Sequence, residues 1–175
     1  NDQTAWCWGL NLYGELGDGT TTDRHQPNQT LQLTLQTIIT AGGFHTASLG
    51  ALLGHAHSWG KNFSGQLGNG TTTDQHEPLA VTELGGSFDI SAALSHTCAV
   101  HFGGQIVCTG KNPDGRLGDG TTTDRHTPVE VSGFTNGHAV AAGGYHTCAI
   151  DTNDFVWCWG KNSSGQLGTG NYTEY

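Results

Sequence analysis

The sequence predicts an all-β chain of β-propeller blades, each about fifty residues long, present as three complete repeats plus a half. Three observations point there. The chain matches itself at that spacing. Its apolar segments are short and separated by Gly, Asn and Asp turns. No segment sustains a helical period with caps. The units run approximately over 1–52, 53–102 and 103–152, with a partial unit at 153–175.

Trp8-Gly9, Trp59-Gly60, Thr109-Gly110 and Trp159-Gly160 open the pattern at successive steps of 51, 50 and 50 residues. A Gly-x-Leu-Gly string follows each at Gly14–Gly17, Gly65–Gly68, Gly115–Gly118 and Gly165–Gly168. Three copies then pass through a Thr-rich loop into Asp-x-His-x-Pro, at Asp23–Pro27, Asp74–Pro78 and Asp124–Pro128. His45-Thr46, His96-Thr97 and His146-Thr147 close the units. Between these marks lie segments of strand length: Ala139–Ala142 leads into Gly143-Gly144, Thr147–Ile150 leads into an Asp-Thr-Asn-Asp turn, and Phe155–Trp159 follows. Four such strands make a blade, which buries both faces only by stacking on its neighbours.

The Trp-Gly-Lys-Asn-x-x-Gly-Gln-Leu-Gly strings at Trp59–Gly68 and Trp159–Gly168, the following Pro, and the Gly-Gly-Tyr-His-Thr-Cys-Ala-Ile run at Gly143–Ile150 resemble the regulator of chromosome condensation repeat. The resemblance covers essentially the whole chain. It implies a seven-bladed propeller, which needs about twice this length. It also implies roles in protein binding: members engage small GTPases and chromatin, and some secreted bacterial relatives inhibit β-lactamases. Both ends stop mid-repeat: Asn1 aligns with Thr152 inside a hairpin turn, and Tyr175 aligns with Arg125. The expectation is part of a longer chain rather than a ring closed by dimerisation.

Glycine is abundant at 28 residues, only 12% of residues are charged, and the net charge is −9 with six Lys and Arg. Turn-rich β structure suits the glycine, and the lack of a basic cluster argues against nucleic acid. No apolar stretch approaches a membrane span, so no membrane insertion is expected.

Cys98 and Cys108, and likewise Cys148 and Cys158, stand ten residues apart across a hairpin, which places each pair on neighbouring strands. In the second unit both positions change together, to Ala47 and Ser58. Two disulfides are therefore expected, with Cys7 pairing to a cysteine upstream of the chain. Disulfides imply an oxidising compartment, secreted, extracellular or periplasmic. Sequons at Asn28, Asn62, Asn69, Asn162 and Asn171 mark candidate glycosylation sites.

The repeated histidines (His25, His76, His126; His45, His96, His146) read as structural, ahead of a metal ring around the channel. The unrepeated His55, His57, His101 and His138 are better candidates for something specific, with surface loops as their ordinary role. The Gly-Asp-Gly-Thr-Thr-Thr-Asp loops at Gly17–Asp23 and Gly118–Asp124 read as turns ahead of calcium loops. Trp6, Trp8, Trp59, Trp157 and Trp159 read as packing between blades, ahead of a sugar platform. No nucleophile elbow, zinc helix or phosphate loop occurs, so no catalytic residue, cofactor or metal is assigned.

The expected function is a non-enzymatic extracellular binding module whose loops recognise a protein. The alternative is a repeat tract of a surface adhesin, sheath or filament protein; enzyme inhibition and carbohydrate binding stand further back. Departures from the repeat nominate one partner surface across the apolar Leu49–Ser58 hairpin and the next blade: Leu49, Leu52, Leu53, His55, His57, Thr109, Pro113 and Asp114.

Overall fold

Residues 4–175 are described by a computed structural model, which holds thirteen strands, a single 3-10 turn and no helix long and apolar enough to cross a membrane. The expectations for Asn1 and its hairpin lie outside the described residues.

Four antiparallel sheets follow one another along the chain. The first pairs β1 (Trp6–Gly9) with β2 (Arg24–Gln29). The second runs β3 (Gln36–Ala41), β4 (His45–Gly50), β5 (Ala56–Gly60) and β6 (Gln75–Ala80). The third repeats it as β7 (Ser87–Ala92), β8 (His96–His101), β9 (Ile106–Gly110) and β10 (Arg125–Glu130). The last holds β11 (Gly137–Ala142), β12 (His146–Asp151) and β13 (Val156–Gly160). The fifty-residue period is therefore right, but its phase shifts. Unit boundaries at 52, 102 and 152 fall within the β4–β5, β8–β9 and β12–β13 hairpins. Local turns close each sheet there, so the blades themselves are 36–80 and 87–130.

Successive strands reverse, so each sheet has two ends. At the upper end lie the β3–β4-type turns and the long loops before β2, β6 and β10. At the lower end lie the β4–β5-type hairpins and the links between blades.

The sequence marks form the contacts between blades. β4 is buried along its whole length, because the preceding blade covers one face and the following blade the other. Leu49, Ala47, Ala56, Val81, Leu84, Ile90 and Val107 pack between the second and third sheets; Val100, Ile106, Leu117, Val140 and Trp159 pack between the third and fourth. The innermost strands are tied directly. Ala92 N donates to Thr40 Oγ1 at 3.1 Å, and Ala142 N donates to Ser91 Oγ at 3.0 Å.

The Gly-x-Leu-Gly glycines have a steric reason. Gly14 sits at φ +84°, and a Cβ there would lie 2.6 Å from His76 Cα in the next blade. Gly17 sits at φ +66°, and its Cβ would meet the Trp59 ring at 2.8 Å. The histidine of Asp-x-His-x-Pro and the tryptophan of Trp-Gly thus need the preceding glycines bare.

Both disulfides form as expected, Cys98–Cys108 and Cys148–Cys158, each between directly opposed residues with Cα atoms 4.1 Å apart. Ala47 and Ser58 oppose each other in the same way. Cys7 is a free, half-buried thiol; burial pushes its pKa up, against a hydrogen bond from Thr30.

Candidate functional site

The two ends of the sheets are built differently. The upper end is a set of repeated clamps. Asn11, Asn62 and Asn112 are wholly buried under their loops. The Asn62 side chain donates to Asn69 Oδ1 and to the carbonyls of Thr71 and Thr73, at 3.0, 3.0 and 3.1 Å, and accepts from Leu67 N at 3.0 Å. Asn11 and Asn112 repeat the arrangement with Asp18 and Asp119. Burial works against the Asp18 and Asp119 carboxylates, yet hydrogen bonds from Thr20 and Arg24, and from Thr121 and Arg125, hold both below the ordinary range. Oxygens already filled by protein donors leave these loops as turns.

Between blades, Thr46, Thr97 and Thr147 each donate a hydroxyl to a carbonyl of the preceding loop, on Glu15, Gln66 and Arg116, at 2.8 Å. Trp59 and Trp159 aim their indole N–H at the same Glu15 and Arg116 carbonyls, at 2.8 and 3.0 Å. His45 Nε2 lies 2.8 Å from Thr97 Oγ1, and His96 Nε2 lies 2.9 Å from Thr147 Oγ1. Each threonine has spent its only proton on a carbonyl, so each histidine must be the donor through Nε2–H. Nδ1 is then a bare, buried nitrogen, and neither has a partner. Burial pushes His45 down to about 4. Burial first, then the charges of Arg116, His45 and His146, pushes His96 to about 3. These histidines are structural, as their repetition suggested.

Arg116 was not singled out from the sequence. It replaces the glutamine found at Gln66 and Gln166, whose side-chain oxygens accept from Ser64 N and Ser164 N at 3.0 and 2.9 Å. Arginine has no acceptor, so the fully buried side chain turns instead to an ion pair with Asp114, a bond to Gly144 O and the face of Tyr145 at 4.9 Å. The signal was the one basic residue at a string position that holds Glu15, Gln66 and Gln166 in the other copies.

The lower end keeps its backbone turns from blade to blade but not its exposed side chains. Its hairpin tips carry Leu52, Leu53, Phe102 and Phe155, exposed at 65, 76, 65 and 64%. All four unrepeated histidines, His55, His57, His101 and His138, lie at this end. So do the exposed carboxylates of Glu83, Glu130 and Asp154. All six Lys and Arg lie at the upper end: Arg24, Lys61, Lys111, Arg116, Arg125 and Lys161. The lower end is therefore apolar and acidic. The tips are linked along the backbone, since Gly86 N donates to Gly54 O and Phe102 N donates to Gly86 O. His57 is half-buried and its pKa is lowered, first by burial and then by His55.

The nominated partner surface splits in consequence. Leu52, Leu53, His55 and His57 sit on the lower hairpin. Pro113 and Asp114 sit in an upper loop at the opposite end of their sheet. Leu49 is no surface residue: it is 1% exposed, on the alternate face that packs into the core. Thr109 is also buried, bonding Gly65 O and Arg125 O where the other copies place an indole. Two sequons are corrected as well. Asn62 and Asn162 are buried, and their side-chain nitrogens are committed to loop oxygens, which leaves no room for a glycan. Asn28 and Asn69 are half-exposed and Asn171 is exposed.

Among known proteins, the chain is similar to the probable E3 ubiquitin-protein ligase HERC4 of Rattus norvegicus, at 38% identity over 96 residues, 53% of this chain and 9% of that one. It is similar to the ultraviolet-B receptor UVR8 of Arabidopsis thaliana, at 34% over 103 residues, 57% of this chain and 23% of that one. The fold matches human WBSCR16 with a TM-score of 0.88 at 19% identity, covering 99% of this chain and 47% of that one. It matches yeast RCC1 (Prp20), solved bound to Kap60, with a TM-score of 0.84 at 18% identity, covering 98% and 43%. The chain thus spans less than half of either solved protein and less than a quarter of these curated relatives. The regulator of chromosome condensation (RCC1) repeat matches residues 54–100, 104–150 and 138–166, so more than half of the sequence is accounted for and the chain belongs to that repeat family.

Proposed function

We propose that this chain is a non-enzymatic, extracellular or periplasmic protein-binding module that recognises its partner with the lower end of the blades. One observation carries the reading: the copies are alike at the upper end, where loops clamp blade to blade, and unlike at the lower end, where nothing in the fold demands difference. Rigid blades presenting variable tips suit recognition. The acidic and apolar character of that end fits a partner patch that is basic and apolar. The two disulfides support the oxidising compartment. Use of this fold in protein binding also has a precedent, since yeast Prp20 is solved with Kap60.

The test is to screen the immobilised protein against secreted and cell-surface proteins. Each binder is then retested on Leu53→Asp/Phe102→Asp and, separately, on Lys61→Ala/Phe63→Ala. The lower-end pair should lose at least about tenfold in affinity, the equivalent of roughly 1.4 kcal/mol, and the upper-end pair little. The opposite ranking, or no protein binder tighter than roughly 10 μM, overturns the reading. The repeated upper loops favour a second one, a tract of a surface adhesin, sheath or filament. Concentration-dependent self-association in sedimentation would identify it.

A further inference from the structure

The second blade departs from its neighbours at four positions that fall together at the lower end. Gln36 stands where the next two blades have Ser87 and Gly137, and Ser48 stands where they have Ala99 and Ala149. His57 replaces Val107 and Trp157, and His55 replaces Gln105 and Phe155. Apart from Gln105, the other blades carry small or apolar residues at these positions, which packing explains. Packing does not explain a polar set in this one.

Register puts the set on one face. Gln36 opposes Gly50, and Ser48 opposes His57, so Gln36, Ser48, Gly50 and His57 point to the same side of the sheet. His55 and His57 are two apart along one strand direction, and Gly50 N donates to His55 O at 2.8 Å, so their rings project to the same side about 7 Å apart at the backbone. Both histidines and Gln36 line one cavity of about 240 Å³ beneath the link at 32–35. Both histidines also line the adjoining opening of about 510 Å³ beside Leu53 and Gly86.

The polar atoms in this set are unsatisfied in a complementary way. His57 Nδ1, Gln36 Oε1 and Ser48 Oγ are all buried without a partner. A Nδ1–H is a donor and an amide carbonyl an acceptor. The two are not bonded to each other in this structure; a small rotation that brought them together on metal binding would fix the tautomer that leaves the Nε2 lone pair free. An imidazole oriented through its far N–H by a carbonyl oxygen is the usual support for a metal ligand. No thiolate or carboxylate enters the set, and neutral imidazoles select late divalent transition ions over calcium or magnesium.

We infer that His55 and His57 form a chelating pair for a divalent transition-metal ion, copper(II) ahead of nickel(II) and zinc(II), with Gln36 and Ser48 as positioning residues behind His57. The other coordination positions face the lower opening and are open to water or to a donor from a bound partner. The site does not depend on the proposed protein-binding role and stands or falls by itself.

The probes are the chloride salts of copper, nickel and zinc, titrated calorimetrically into the intact protein at neutral pH, with the visible absorption of copper(II) followed in parallel. The expected result is one saturable equivalent, tightest for copper, with an absorption band characteristic of nitrogen ligation. His55→Ala, at an exposed position, should weaken binding at least tenfold without lowering the melting temperature of the metal-free protein. His57→Gln should do the same. Gln36→Leu should weaken binding severalfold and leave the stoichiometry intact. The double variant His101→Ala/His138→Ala should bind as the parent does. Absence of saturable binding overturns the inference, and so does one equivalent that survives in His55→Ala/His57→Gln.

Discussion

The buried histidines of the inter-blade clamp give this protein a definite response to acid. His45 and His96 are neutral in the fold, each donating through Nε2 and each with a Nδ1 that has no acceptor to meet if it gained a proton. Their folded values of about 4 and about 3 lie below the ordinary 6.5, so the unfolded chain binds protons that the native chain refuses. Stability contributed by these groups is complete above pH 6.5 and falls as the pH drops toward 4 and then 3. For His45 the loss is on the order of 3 kcal/mol by linkage. Urea unfolding between pH 7 and pH 4 should therefore show a declining stability. In His45→Gln the slope should be shallower by about one proton, whatever its stability at pH 7. An unchanged slope would show that the histidine does not titrate with folding. At this scale the sequence was informative where residues recur: repetition alone marked His45 and His96 as structural. It was silent on Arg116 and on the burial of Leu49 and Thr109, because composition says which residue differs but not which way a strand face turns.

At the scale of the blade, the molecule contains its own control for the disulfides. Cys98 and Cys108 join opposed residues of β8 and β9; Ala47 and Ser58 occupy the same places in β4 and β5, and the sheet is unaltered. Ser58 compensates by donating its hydroxyl to Leu67 O at 2.8 Å. The double change Cys98→Ala/Cys108→Ser should accordingly fold into the same blade, with the introduced hydroxyl directed at Leu117 O. It should lose about 2–3 kcal/mol from the freed unfolded chain. A guanidinium titration under non-reducing conditions reads this directly. A loss several times larger would mean that the disulfide is needed to shape the strand pair rather than to restrain the unfolded chain. The pairing itself was legible, since the two cysteines disappear together in one copy. The blade boundaries were not, because a repeat has no intrinsic starting point and only hydrogen bonding decides where one sheet ends.

Across the whole molecule, blades touch only their neighbours, so stability is a sum over interfaces and the weakest one opens first. The interfaces here are unequal. The second and third sheets, and the third and fourth, share extended apolar cores. Among the described residues, the buried cluster between the first and second holds Ala5, Leu33 and Trp59, with Cys7 at the edge and the Tyr13–Phe44 ring contact beside it. Trp59 dominates that contact: it is fully buried, it fills the space over Gly17, and its indole N–H bonds Glu15 O. Trp59→Ala removes the packing and one of the two bonds to that carbonyl, leaving only the one from Thr46. The cost should be about 3–5 kcal/mol. That exceeds what the small first interface can absorb, so β1 and β2 should detach while the remaining sheets stay folded. Hydrogen exchange followed by mass spectrometry checks this. Amides of residues 6–29 should lose protection in Trp59→Ala, and those of β8 and β9, clamped by Cys98–Cys108 and buried on both faces, should keep theirs. Uniform loss across all four sheets would instead show that the blades unfold as one unit, and that the tryptophan communicates beyond the interface it fills.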